Sequence, residues 1–192
     1  MSNENIEIED NFLDQEEFDK LQSHMGQPNV MHQTAFPWYF NDSIDAKSGS
    51  PTEVDKFQFV HSFYESSTPI SQKFILVAPI LDIIQPLAIY RIKANLLTKT
   101  PNIVENTFHV DIGDIPETNL KYWTNSILYI NTNNGYTEFE NGTKVESVAN
   151  RMVTFPTNLR HRGTSCTDEK TRVAINFVYF KSRDYVYEKR KH

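Results

Sequence analysis

After Pro86 the hydrophobic period of this 192-residue chain changes, and that change constrains the fold more than any other feature. Ile89 to Leu97, Ser126 to Asn131, Tyr136 to Val145, Arg151 to Phe155 and Arg172 to Phe180 are short, rich in β-branched and aromatic residues, and divided by turn signals. Such segments read as strands whose side chains alternate between two faces. Asn141-Gly142, set between alternating stretches, predicts a tight hairpin with positive φ at its central residues. The second half therefore reads as antiparallel sheet.

The first half reads differently. Asp14 and Glu17 form a capping-box pattern, and Phe18, Leu21 and Met25 recur at helical spacing until Gly26 and Pro28 stop them. Thr68-Pro69 reads as an N-cap and first helical position for Ile70, Phe74, Val77 and Leu81, with Pro79 kinking or restarting the helix. Between them, Met31 to Pro51 mixes turn residues with the aromatics Phe36, Trp38, Tyr39 and Phe40, a lid or a packed connection. Helices followed by short strands imply an α+β fold, a jelly roll flanked by N-terminal helices. We read residues 1–192 as a single domain, with 1–87 a mainly helical flank and 88–181 the jelly-roll core.

Charge and cysteine content remove several function classes. With 19 Lys and Arg against 25 Asp and Glu, a net charge of -6 leaves no basic face for nucleic acid, and the basic tail Lys181 to His192 reads as a solvated terminus. The apolar run Phe74 to Tyr90 is broken by Pro79, Asp82, Gln85 and Pro86, so no membrane span is expected. A single cysteine, Cys166, and a polar, acidic start imply a reducing, cytoplasmic setting.

His109 and Asp111 lie two residues apart at the end of an expected strand, where a period of two aims both at one face. Alone, that pair is as consistent with an ordinary surface. His161 follows fifty residues after Asp111, beyond a turn at Pro156 to Asn158, which lets two imidazoles and a carboxylate converge from two strands. Such a set occupies one face of an octahedral Fe(II) and leaves three positions open. The keto-acid end of 2-oxoglutarate can chelate two of them, and its distal carboxylate then needs a cation. Arg172, eleven residues past His161, begins a strand face shared with Ala174, Asn176, Val178 and Phe180. It is either a buried carboxylate clamp or a charged residue at a sheet edge.

The ordered combination of His109-Val-Asp111, His161 and Arg172, set in Leu128-Tyr-Ile-Asn131, Thr137-Glu-Phe139 and Arg172 to Phe180, resembles the catalytic domain of prolyl-hydroxylase-type 2-oxoglutarate oxygenases over roughly 89–180. The resemblance implies a double-stranded β-helix holding Fe(II), 2-oxoglutarate and O2. It makes His109, Asp111 and His161 the metal ligands and Arg172 the partner of the distal carboxylate. Tyr129 matches a tyrosine that helps Arg hold that carboxylate, with a satisfied core tyrosine as the rival reading. Asn176 matches a polar position beside the cosubstrate. Asn95, on a strand face with Arg91 and Lys93, lines the pocket mouth or faces water.

The implied activity is hydroxylation of an unactivated carbon-hydrogen bond, in peptidyl proline, a free amino acid or another small metabolite. Relatives carry two adjacent glycines where this chain has Gly135-Tyr136, which puts the shape of the substrate entrance in question. The alternatives are a non-catalytic jelly-roll binding module and a cupin-type metal dioxygenase without 2-oxoglutarate. Neither needs Arg172 with Tyr129. His24, His32 and His61 have no partner at metal spacing, Cys166 has no His-Asp arrangement, and Tyr122 and Trp123 read as core or rim residues.

Overall fold

A computed structural model describes residues 6–26, 36–44 and 56–181. In chain order these form β1 (Glu7–Glu9), α1 (Gln15–Gly26), β2 (Tyr39–Asn41), β3 (Gln58–Glu65), β4 (Thr68–Pro69), a 3-10 helix (Gln72–Val77), α2 (Ala78–Ile84), β5 (Ala88–Thr98) and α3 (Glu117–Leu120). The remainder is β6 (Thr124–Tyr129), β7 (Tyr136–Phe139), β8 (Lys144–Glu146), β9 (Met152–Pro156), β10 (His161–Gly163) and β11 (Thr171–Phe180). The main antiparallel sheet runs β1-β9-β6-β11-β5-β3-β2, with β4 paired to β3, and a smaller sheet runs β10-β7-β8. Isolated bridges Glu105↔Thr164 and His109↔His161 lay the 105–109 segment along the free side of β10.

The alternation of β11 shows why both faces of the main sheet are covered. Val173, Ile175, Phe177 and Tyr179 point into a core with Leu13, Phe18, Leu21 and Met25 from the α1 region and Val77, Ile80 and Ile84 from the α2 region. Each such side chain contributes on the order of 1.5–3 kcal/mol by leaving water. The other face carries Ile127, Tyr129 and Ala174 against Phe139, Val145 and Phe155, a second core shared with the small sheet. At one end, Val178 packs with Ile112 and Leu120. The layers are therefore helices, main sheet and small sheet.

Several expectations change. Thr68-Pro69 forms β4 against Tyr64 and Glu65 instead of capping a helix. The cap is Ser71, whose Oγ accepts from the Lys73 amide at 2.9 Å, and Pro79 restarts the chain as α2 from its first turn. The first half is less helical than expected because β3 joins the main sheet beside β5. Its signal was the alternation Phe59, His61, Phe63, obscured by a histidine on the apolar face. His61 is buried, its ring nitrogens bonded to the Pro37 carbonyl and Ser71 Oγ at 2.8 Å each, so it is a packed histidine. At Asn141-Gly142 only Gly142 has positive φ, at 88°. The Gly142 amide donates to the Phe139 carbonyl, a turn followed by a left-handed glycine rather than a two-residue turn with both residues at positive φ.

Of the aromatic stretch, Phe36 is buried and Trp38 packs against the core, whereas Tyr39 and Phe40 are exposed on edge strand β2. His32, Pro28 and the tail beyond Lys181 lie outside the described residues. No helix among those described is long and apolar enough to cross a membrane.

Candidate metal centre and binding cleft

His109 and His161 face each other because their backbones pair: each amide donates to the other's carbonyl, at 2.9 and 3.0 Å. His109 thus sits in a bridge to β10 and not at the end of a regular strand, and Asp111 lies in the bend that follows. Nδ1 of His109 lies 3.0 Å from the Thr107 carbonyl, and Nδ1 of His161 lies 3.4 Å from that of Leu159. A carbonyl can only accept, so each Nδ1 donates there, and each Nε2 is the atom left to offer an ion its lone pair when the ring is neutral. Those Nε2 atoms point at Asp111, at 4.0 Å from Oδ1 and 3.4 Å from Oδ2. One donor atom from each of the three residues lies within 4.8 Å of the others, a spacing one ion can bridge.

Asp111 is almost wholly buried and its carboxylate is held from behind. Arg91 Nη2 donates to Oδ1 at 3.1 Å and to the backbone carbonyl at 3.2 Å, and Asn125 Nδ2 donates to Oδ2 at 2.5 Å. Burial opposes ionisation, but the neighbouring His161, His109 and Arg91 outweigh it and hold the carboxyl well below the usual carboxylate range. Asn176 Nδ2 lies 3.4–3.5 Å from both carboxylate oxygens. The residue expected beside the cosubstrate therefore also faces the candidate metal ligand.

The cleft that opens from this cluster encloses about 580 Å³ including its mouth, and its floor is the inner face of β5, β6 and β11. Arg172 lies at its far end, 6% exposed. Nε donates to Ser147 Oγ at 2.7 Å, Nη2 to Thr137 Oγ1 at 3.2 Å, and the guanidinium stacks 5.4 Å from the Tyr129 ring centre. No carboxylate among the described residues pairs with it, and burial pushes its pKa down. A buried cation held only by neutral partners is costly unless an anion joins it. Tyr129 is fully buried and its hydroxyl donates to Thr137 Oγ1 at 2.8 Å, so it braces the arginine through ring and threonine. With its hydroxyl on Thr137 and its ring against the guanidinium, Tyr129 fits both sequence readings, the satisfied core tyrosine and the neighbour of the clamp. Asn95 lines the cleft.

Sequence reasoning misses Asn125 behind Asp111 and Ser147 beside Arg172, and it gives no supporting role to Thr137 or to Arg91, which it places with Lys93 on the Asn95 face. Lys93 too lines the cleft, its pKa lowered chiefly by burial. The signal available for Arg91, Lys93 and Asn95 was a polar face on a strand flanked on both sides.

Gly135 and Tyr136 divide their roles. A Cβ on Gly135 would lie 2.6 Å from Arg172 Cδ and 2.7 Å from the Ser165 carbonyl, so bare backbone is needed there for the arginine. The Tyr136 hydroxyl instead donates to Glu105 Oε1 at 2.7 Å, bracing the segment that leads to His109, and the ring is not part of the cleft lining. His24 is exposed and bonded to its own helix at the Lys20 carbonyl, Cys166 is buried and free, and Trp123 packs on Tyr90 and Phe180.

No family model and no curated protein matches the sequence. Solved structures do match over most of the chain. A prolyl-4-hydroxylase of Pseudomonas putida superposes with a TM-score of 0.56 at 11% identity, covering 94% of this chain and 95% of that one. A prolyl hydroxylase of Trichoplax adhaerens, in complex with a hypoxia inducible factor oxygen degradation domain peptide fragment, gives 0.59 at 11%, covering 96% and 87%. The non-heme alpha-ketoglutarate-dependent carbocyclase SnoK of nogalamycin biosynthesis gives 0.60 at 12%, covering 97% and 86%. At such identities the likeness carries the fold: this chain has the double-stranded β-helix architecture of the prolyl-hydroxylase-type 2-oxoglutarate oxygenases.

Proposed function

We propose that the chain is an iron(II)- and 2-oxoglutarate-dependent oxygenase, with His109, Asp111 and His161 as the metal ligands and Arg172 as the partner of the cosubstrate's distal carboxylate. The observation that carries this reading is the pairing of two features in one cleft: a two-imidazole, one-carboxylate cluster and a buried guanidinium with no carboxylate. A cupin-type centre or a binding module would have no use for the second. When bound, iron(II) with 2-oxoglutarate and O2 supplies the oxidising power to hydroxylate an unactivated carbon-hydrogen bond, releasing succinate and carbon dioxide.

The chain's own residues do the rest. Arg91, Asn125 and Asn176 fix the rotamer of Asp111, and the carbonyls of Thr107 and Leu159 fix the tautomers of both imidazoles. Ser147 and Thr137 aim Arg172, which neutralises the distal carboxylate where little water reaches. Ile127, Ala174 and Leu97 give the cleft its apolar wall and exclude water from the reacting end. For the primary substrate, peptidyl proline is the class we carry forward, in line with the hydroxylases that share the fold.

The test is spectroscopic. Anaerobic addition of Fe(II) and then 2-oxoglutarate should produce the visible charge-transfer band of the chelate in the parent protein and not in His161→Ala. Absence of the band in the parent would overturn the reading.

A further inference from the structure

Among the described residues, Lys93 is the one cleft-lining cation that neither the proposed metal centre nor the proposed cosubstrate clamp uses. It lies on the inner face of β5, between Arg91 and Asn95, and lines the same cleft as the metal cluster. The register places it opposite Asn176 of β11 on one side and Ser62 of β3 on the other. Arg172, by contrast, lies opposite Leu97, four residues along the strand from Lys93, or about 13 Å at the rise of a β-strand. Lys93 therefore stands level with the residue that faces Asp111, at the metal end, while the clamp stands at the other end.

Its charge is not neutralised there. Among the described residues Lys93 makes no hydrogen bond, and no carboxylate comes close enough to form an ion pair with it. Asp111, the one carboxylate among the described residues that line the cleft, is already engaged by Arg91. Filling the site does not change this balance, because an Fe(II) dication and a 2-oxoglutarate dianion cancel by simple counting. A partly buried ammonium beside a chelate of that charge is a ready anion subsite, since its desolvation is offset only when a counter-charge arrives.

We propose that Lys93 binds a carboxylate of the primary substrate, holding the reacting carbon beside the metal. This rests on the oxygenase reading and narrows it: the substrate is an acid whose carboxylate lies close to the hydroxylated carbon. That carboxylate comes either from a small free acid or from an acidic side chain next to the reacting residue of a peptide. Lys93 would act on specificity and orientation, since its ammonium has no part in breaking the carbon-hydrogen bond.

The test uses Mn(II) in place of iron with saturating 2-oxoglutarate, and reads the paramagnetic relaxation of probe protons by NMR. Two matched pairs serve as probes: N-acetylproline against N-acetylprolinamide, and N-acetyl-Pro-Glu-amide against N-acetyl-Pro-Gln-amide. In the parent, the acid of at least one pair should be relaxed about tenfold more than its amide at equal concentration, the worth of one charge-assisted hydrogen bond. The pair that shows the contrast names the source of the carboxylate. The contrast should fall to parity in Lys93→Met, survive in Lys93→Arg, and leave the 2-oxoglutarate dissociation constant unchanged in both.

Equal relaxation within both pairs in the parent would overturn the proposal, as would a contrast that persists in Lys93→Met. A weakening of 2-oxoglutarate binding in Lys93→Met without loss of the contrast would assign the ammonium to the cosubstrate and would also overturn it. Failure of the oxygenase reading looks different, because the Fe(II) chelate band would then be missing before any probe is added.

Discussion

Arg172 and Gly135 show how much a single position decides. Arg172 is held by hydroxyls and an aromatic face, and each of those partners is neutral, so its strongest partner must come from a ligand. Arg172→Met should weaken 2-oxoglutarate binding by about 3 kcal/mol, because a desolvated carboxylate loses its partner, and Arg172→Lys by less, since Lys keeps the charge without the planar fork. Anaerobic titration of the cosubstrate into each Fe(II)-loaded variant measures both. Undiminished binding by Arg172→Met would place the clamp elsewhere. Gly135→Ala tests the same clamp from behind. Its new methyl meets Arg172 Cδ, the Ser165 carbonyl and Asn133 Oδ1, all under 3.0 Å. Overpacking of this kind costs about 1–3 kcal/mol, so urea denaturation should show that loss together with weaker cosubstrate binding. A variant of parental stability and affinity would mean that the arginine tolerates displacement.

At the scale of elements, Asn150 ties the entry of the N-terminal helix to the sheet, while Gln22 Nε2 on the helix itself donates to the Ile130 carbonyl at 2.7 Å. Asn150, between β8 and β9, accepts the Leu13 amide through Oδ1 at 2.9 Å and donates Nδ2 to the Leu13 carbonyl at 2.8 Å. Its backbone sits at φ 61°, a left-handed conformation that Asn tolerates better than most residues. The Phe12 amide adds a bond to its carbonyl at 3.0 Å. Asn150→Ala leaves two buried backbone groups of Leu13 unpaired and loses the αL preference, a combined cost of about 2–4 kcal/mol. Chemical denaturation should show that loss, with hydrogen exchange accelerated first in 15–26. An equal acceleration of exchange everywhere, or no loss of stability, would show that α1 is held by its apolar face and Gln22 without Asn150. The small sheet follows the same logic: His161 is placed by its bridge to His109, so the centre is assembled by backbone pairing rather than by the metal.

For the molecule as a whole, that preassembly has a thermodynamic consequence. His161 and Arg172 lie on strands of two sheets that share an apolar core, and His109 is paired to His161 through its backbone, so the site exists in the folded chain and is lost in the unfolded one. Ligands that bind only the folded state add about 2.7 kcal/mol at a hundredfold excess over their dissociation constant. Mn(II) with 2-oxoglutarate should therefore raise the unfolding temperature of the parent. His109→Ala, Asp111→Ala and His161→Ala should each fold, with unchanged far-ultraviolet dichroism, and lose that ligand-dependent rise. A rise retained in any two of the three would exclude them as the ligand set, whereas a collapse of the fold would show that the ligands support the core itself.

The sequence by itself determined the strands of the second half except the three-residue β10, because the alternation of β-branched and aromatic residues is a local property that each longer strand carries alone. The same locality made His109, Asp111, His161 and Arg172 legible as an ordered set, with the histidine and carboxylate spaced to share one ion. Tertiary structure decided what a local pattern cannot hold. β3 was hidden because its face includes His61, which only the Pro37 carbonyl and Ser71 make fit for a core. Thr68-Pro69 lost its capping role to Ser71 once Tyr64 offered a strand partner. Arg91, Asn125, Thr137 and Ser147 gained their roles from residues 14 to 35 positions away, through contacts set by sheet register. Lys93 is the same case: on the chain it is one more charge in a polar run, and only two neighbouring strands and the cleft between them make it a cation without a counter-charge among the described residues. Side-chain type and local period are written along the chain, whereas burial and charge balance arise only when strands distant in sequence are laid side by side.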